Sequence, residues 1–247
     1  PDTVTKKGAL NRIKSIHQST ELSAKKILPP KDLRNNCERL ANIIGLSDAE
    51  CKILAFAVYL KSSNIFEDAS DLLEEFPTKF LPHVLSALLD IPIGLAQDSI
   101  KKQGKLISSG LISIESSPYR LSDKLNLLSD NFADYMMSVE DNPLYLLRDV
   151  ILPTPPPTLS MGDFSHIDKS LKVLRPYLKT SIQTNRQGVN IFIYGSPGVG
   201  KTELARLLGQ DCDVVLYEVS SEDVEGEAIN TKERFRAFQA SQAILRN

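Results

Sequence analysis

Apolar residues recur at helical spacing through most of the first 150 positions. Leu33, Cys37, Leu40, Ala41 and Ile44 fall on one face of a predicted helix that Gly45 closes. Ser47, Asp48, Ala49 and Glu50 form a capping box opening a second helix, with Ile53, Leu54, Ala57 and Leu60 facing inward. A third short helix is predicted over 67–76. Past Pro77 and Thr78, the residues Phe80, Val84, Leu85, Leu88 and Leu89 mark a fourth, with Pro82 tolerated in its first turn. Ahead of these, residues 1–30 are polar and carry Lys6, Lys7, Arg12, Lys14, Lys25 and Lys26. Ile13, Ile16 and Leu22 predict a helix over 10–27 with a solvated basic face.

The period changes after position 90. Ile91, Pro92, Ile93 and Gly94 make a tight connection into a helix predicted over 95–108, which Gly104 weakens. Alternation then predicts a strand over 111–115, a turn at 116–118 and a return strand over 119–122. Helix, turn, helix and hairpin in this order resemble a winged helix. That resemblance implies either nucleic-acid contact over 95–121, through Gln97, Ser99, Lys101, Lys102 and Gln103, or a protein-contacting or purely structural unit. Lys101, Lys102, Lys105, Arg120 and Lys124 against Asp98, Glu115 and Asp123 leave 91–125 at a net +2, a weak patch for phosphate backbones.

Helices continue over 125–150, with Leu125, Leu127, Leu128, Phe132, Tyr135 and Met136 as core candidates. The prolines of 151–159 then favour an extended, stiff connector that is neither helix nor central strand. Beyond it, Ile167, Leu171 and Leu174 predict a helix that Pro176 should kink or end. A buried strand over 189–194, a glycine loop, a helix ended by Gly209 and a strand over 213–219 follow. Asn230 to Glu233 is a capping box for a last helix carrying Phe235, Phe238 and Ile244. The pattern divides the chain into a polar arm (1–30), a helical, winged-helix-like domain (31–150), a Pro-rich linker (151–159) and an α/β region (160–247).

The chemistry concentrates in Gly195, Ser196, Pro197, Gly198, Val199, Gly200, Lys201 and Thr202, which fit the phosphate-loop pattern G-x-x-x-x-G-K-[ST]. Glycines let backbone N–H groups turn inward around phosphate oxygens. Lys201 is placed to reach the β- and γ-phosphates and Thr202 to hold Mg²⁺, while the positive end of the following helix faces the anion. A strand before the loop and a helix after it are the context this chemistry needs.

Residues 194–205 resemble the Walker A segment of AAA+ ATPases, and 163–178 resemble the lead-in that lies against adenine in that family. The resemblance covers about 160–247. It implies an α/β P-loop NTPase preceded by a mostly α-helical domain with the winged-helix-like unit. Gly195, Gly198, Gly200, Lys201 and Thr202 then form the ATP/ADP and Mg²⁺ site, Lys201 with the catalytic role, and the backbone of 164–167 touches adenine. It further implies a homo-oligomeric ring coupling ATP hydrolysis to remodelling of a protein or nucleic-acid partner. The family's apolar strand ending in Asp-Glu, its sensor, arginine finger and lid are not in the sequence. The resemblance therefore implies an incomplete parallel sheet in a C-terminally truncated chain that hydrolyses ATP poorly. The alternatives are a nucleotide-sensing DNA-binding regulator and, against the placement of a helical domain before the loop, a small-molecule kinase.

Composition changes this picture little. Of 247 residues, 42% are apolar and 24% charged, with a net charge of −2, ordinary values that signal neither a nucleic-acid nor an anionic-membrane surface. The longest apolar run, 53–60, is too short to span a bilayer and the start lacks a signal-peptide core, so the reading is cytoplasmic. Cys37, Cys51 and Cys212 lack metal or disulfide spacing, and His17, His83 and His166 are scattered.

Overall fold

A computed structural model of the chain describes residues 6–23, 28–73, 75–116, 120–139, 142–223 and 225–245. Among them α1 (Lys6–Ser23) exposes Ile13, Ile16 and Leu22, in accord with a solvated helix; the predicted continuation over 24–27 lies outside the described residues. The helices α2 (Lys31–Ile44) and α3 (Asp48–Ser62) form as read, with the Gly45 N–H donating to the Ala41 carbonyl at the end of α2. Their inward faces, Leu33, Cys37, Leu40, Ile53, Leu54, Ala57 and Leu60, are buried in one apolar core. Burial pushes the Cys37 thiol up to about 12 and the Cys51 thiol to about 11, values of inert thiols rather than ligands or nucleophiles.

Glu50 does more than cap α3. Its Oε2 accepts from the Ser47 backbone N–H (2.8 Å) and hydroxyl (2.9 Å), and its Oε1 accepts from the Leu106 N–H at 3.0 Å, although Glu50 itself is buried. Glu50→Ala removes the cap and strands a buried N–H, so we expect a loss of roughly 2–3 kcal/mol in urea unfolding. A change below about 0.5 kcal/mol would show that water replaces the carboxylate at no cost.

The next helices are α4 (Asn64–Asp71), earlier than the predicted 67–76, and α5 (Leu81–Leu89), which starts with Pro82 in its first turn. The helix expected over 95–108 is two pieces, α6 (Ile93–Ser99) and α7 (Lys105–Ser108). The break falls at Gly104, whose backbone leaves the helical region (φ −59°, ψ 140°) and packs so closely that a Cβ would stand 2.7 Å from the carbonyl oxygens of Asp98 and Ser99. Strand β1 (Ile112–Ile114) forms, but its partner is not 119–122. Residues 121–124 wind into α8 (Leu121–Lys124), and β2 (Leu125–Leu127) pairs antiparallel with β1. Leu125 and Leu127 are buried and Asn126 is exposed, an alternation that the helical reading of this stretch overlooked. Of the predicted turn at 116–118, residues 117–118 lie outside the described residues, as does Tyr119. Helix α9 (Phe132–Met137) completes this part, with Phe132 and Met136 buried.

The second half departs further from expectation. The proline-rich stretch begins with a strand, β3 (Ile151–Pro153), paired antiparallel with β4 (Tyr217–Val219). The sheet is therefore not an incomplete parallel one; among the described residues both strand pairs are antiparallel. Of the strand expected over 213–219 only three residues pair, and 189–194 pair with nothing among the described residues. Phe192 and Tyr194 are 88% and 83% exposed, their rings stacked at 6.2 Å, while Ile193 turns inward. A backbone with no neighbouring strand has no ladder to join, whatever its β propensity.

Helix α10 (Asp168–Gln183) continues past Pro176, which does not end it. One lost N–H bond is offset because Leu171, Leu174 and Leu178 keep the inner face packed in a second core, with Phe164, Leu204, Leu207 and Leu208. Helix α11 (Lys201–Asp211) supplies the last three. Helix α12 (Thr231–Ile244) opens on the expected box, the Asn230 side chain accepting from the Glu233 N–H at 3.0 Å. Its buried face is Ala237, Ala240, Ser241 and Ile244, not Phe235 and Phe238, and that face lies in the first core.

Candidate functional site

The loop between residue 194 and α11 is shaped from below. Ser160 and Asp163 form a reciprocal box, with the Asp163 carboxylate accepting from the Ser160 N–H and hydroxyl, both at 2.8 Å, and held below the usual carboxylate range by them. This turn, over Met161–Ile167, buries Phe164. The ring lies directly under Gly200, where a Cβ would meet Phe164 carbons at 3.2 and 3.3 Å. Gly198 and Gly200 take left-handed φ values of +81° and +82°, so the curvature and the contact with Phe164 both require a residue without a Cβ.

Gly200 is the N-terminal cap of α11, so Lys201 and Thr202 occupy its first turn, whose N–H groups have no acceptor within the helix. The Lys201 ammonium bends back over the loop and donates to the carbonyls of Gly195 (3.0 Å) and Ser196 (2.8 Å). Gly195, Ser196, Pro197, Gly198 and Val199 are exposed, as is Thr202. The eight residues thus form one curved glycine loop running into a helix N-terminus, with the Lys201 ammonium folded over the curve and Thr202 exposed in the first turn.

Beside the loop a hollow of about 350 Å³ is lined by Lys201, Thr202, Arg206, Thr154, Ile191 and Glu218. Arg206 bridges two acids there, Glu203 at 2.8 Å and Glu218 at 3.6 Å. On the opposite side, α10 is tied to α11 by Arg175, whose guanidinium donates to both oxygens of Asp211 at 3.0 and 2.6 Å, with Lys179 at 3.2 Å. These bonds, those of Arg175 first, pull the Asp211 carboxyl from 3.8 to about 2.

The sign of that shift gives a pH prediction. A depressed folded value contributes stability above the unfolded value near 4 and loses it as pH falls toward 2. We expect the stability gap between the protein and its Arg175→Ala variant to be widest above pH 5 and to close between pH 4 and 2. A gap that is constant down to pH 2 would mean the pair contributes through packing rather than charge.

Sequence reasoning missed the Ser160 to Asp163 box, although S-x-x-D is a readable capping signal, and it missed Glu203, which no local pattern marks. The winged-helix-like stretch is less assembled. Gln97, Lys101, Lys102 and Gln103 are exposed, Ser99 is buried with its hydroxyl donating to the Leu95 carbonyl, and Lys101 is paired with Asp98 at 2.7 Å.

Part of the second half matches a known family. Residues 191–245 match the model of the ATPase family associated with various cellular activities (AAA). The matched stretch contains the glycine loop, α11, β4 and α12, and it supports an ATPase of the AAA type. No curated protein and no solved structure matches the chain. No helix among the described residues is long and apolar enough to cross a membrane.

Proposed function

We propose that residues 195–202 bind the phosphates of ATP or ADP together with Mg²⁺, and that this is the nucleotide-binding part of an AAA-type ATPase. The observation that carries the reading is the left-handed Gly200 seated on Phe164, with the Lys201 ammonium folded over the same loop. Binding exchanges the two carbonyl acceptors of Lys201 for phosphate oxygens, which accept more strongly from an ammonium. The first-turn N–H groups of α11 add the favourable end of the helix dipole. Thr202 is the cation's protein ligand, and the ion, when bound, neutralises charge on the phosphates.

Hydrolysis needs a carboxylate that orients water, and the nearby acids are engaged elsewhere: Glu203 and Glu218 both face Arg206. We therefore assign binding, with little hydrolysis, to the residues of this chain. Remodelling of a partner by a ring of copies is the accompanying proposal for the ATPase as a whole. Titration of the chain with fluorescent Mg·ADP tests the reading; saturable one-site binding that unlabelled ATP competes away is expected, and no binding at millimolar nucleotide overturns it.

A further inference from the structure

The carboxylate two residues past the loop lysine is held in a way the glycine-loop pattern does not require. Glu203 Oε2 accepts from the Thr158 backbone N–H (2.7 Å), the Thr158 hydroxyl (3.0 Å) and the Leu159 N–H (3.2 Å), while Oε1 accepts from Arg206 at 2.8 Å. The donors at 158–159 arrive at the end of the proline-rich stretch. Directly after them comes the Ser160 to Asp163 turn, and then Phe164. Leu159 also lies under Gly200, where a Cβ would be 3.7 Å from its Cδ1, next to the Phe164 contacts at 3.2 and 3.3 Å. The floor of the loop is thus a short segment with one end clamped to the first turn of α11, the same turn that carries Lys201 and Thr202.

We propose that Glu203 is a positioning residue for nucleotide: it clamps 158–159 to α11 and so seats Leu159 and Phe164 beneath Gly200, keeping the loop in its phosphate-binding curvature. This rests on residues 195–202 being the nucleotide site. Three donors on one ionised oxygen make a strong, directional clamp. Thr158, Leu159 and Arg206 together supply donors to both oxygens of the carboxylate. The same donors hold the Glu203 carboxyl down to about 2, which keeps it ionised throughout the neutral range.

The test is fluorescent Mg·ADP titration of the full chain and its Glu203→Ala, Glu203→Gln and Thr158→Val variants, with the unfolding midpoint of each measured without nucleotide. Glu203→Ala is expected to weaken ADP binding about tenfold, and Thr158→Val, which loses one donor, about threefold. Glu203→Gln, whose amide oxygen still accepts, should recover most of the affinity, and the Gln and Val midpoints should stay at the wild-type value. The clamp is overturned if Ala and Val bind ADP as tightly as wild type, or if affinity falls only in step with the nucleotide-free midpoint. Should Glu203→Ala not fold, Thr158→Val decides. Wild-type binding, measured first, separates the two failures, because its absence removes the nucleotide site itself.

Discussion

Lys201→Ala abolishes the rise in unfolding temperature that saturating Mg·ADP produces in the wild-type chain. A ligand that binds only the folded state at a hundred times its dissociation constant stabilises by about 2.7 kcal/mol. For a chain of this length that is a shift of roughly 5–10 °C. Lys201 is half-buried and, among the described residues, its hydrogen bonds go to its own loop, so its removal should leave the nucleotide-free midpoint within about 1 °C of wild type. The difference between the two measurements isolates the ammonium's role: a shift undiminished in the variant would place the nucleotide elsewhere.

The largest expected effect on stability comes from a residue outside the site. Gly110 lies against the backbone of α12, with φ at +76°; a Cβ there would stand 2.5 Å from the Arg236 carbonyl oxygen and 3.1 Å from its carbon. Both contacts are backbone, so neither gives way by a rotamer change. Gly110→Ala should cost about 3–4 kcal/mol, left-handed strain plus overpacking. Gly188 provides the control, because it has nearly the same φ, +74°, and open space around it. Gly188→Ala should cost only the strain, about 1 kcal/mol. If calorimetry finds the two variants equally destabilised, α12 does not sit on Gly110.

That contact matters because α12 falls within the AAA-matching stretch, yet its apolar face belongs to the helical core. Arg236, buried and lowered by that burial to about 10, donates to the carbonyls of Gly110 (3.3 Å) and Asn126 (3.0 Å). Lys232 reaches Glu115 at 2.6 Å. These bonds clamp the last helix onto the β1–β2 hairpin, and β3–β4 adds a second tie between the halves. The chain is thus stitched at two places, and neither is visible as a local pattern.

Sequence alone determined the features whose physics is local. The faces of α2 and α3, the capping boxes at Ser47 and Asn230, and the burial of Phe132 and Met136 were all legible, because each depends on spacing within a turn or two. The stretch 189–194 was read as a buried strand but is unpaired and largely exposed, with Ile193 turned inward, because pairing is a property of the neighbour and not of the strand. Pro176 was read as a kink or an end, and the helix continues past it, because one missing hydrogen bond weighs less than a packed helix face. The return strand was misplaced by several residues, because winding 121–124 into α8 buries Leu121 and Lys124 and hands the pairing to 125–127. Only the tertiary structure decided what lies beneath Gly200, where Glu203 spends its charge, and which core receives α12. Those contacts join residues tens to more than a hundred positions apart, and no periodicity in a window of sequence can encode them.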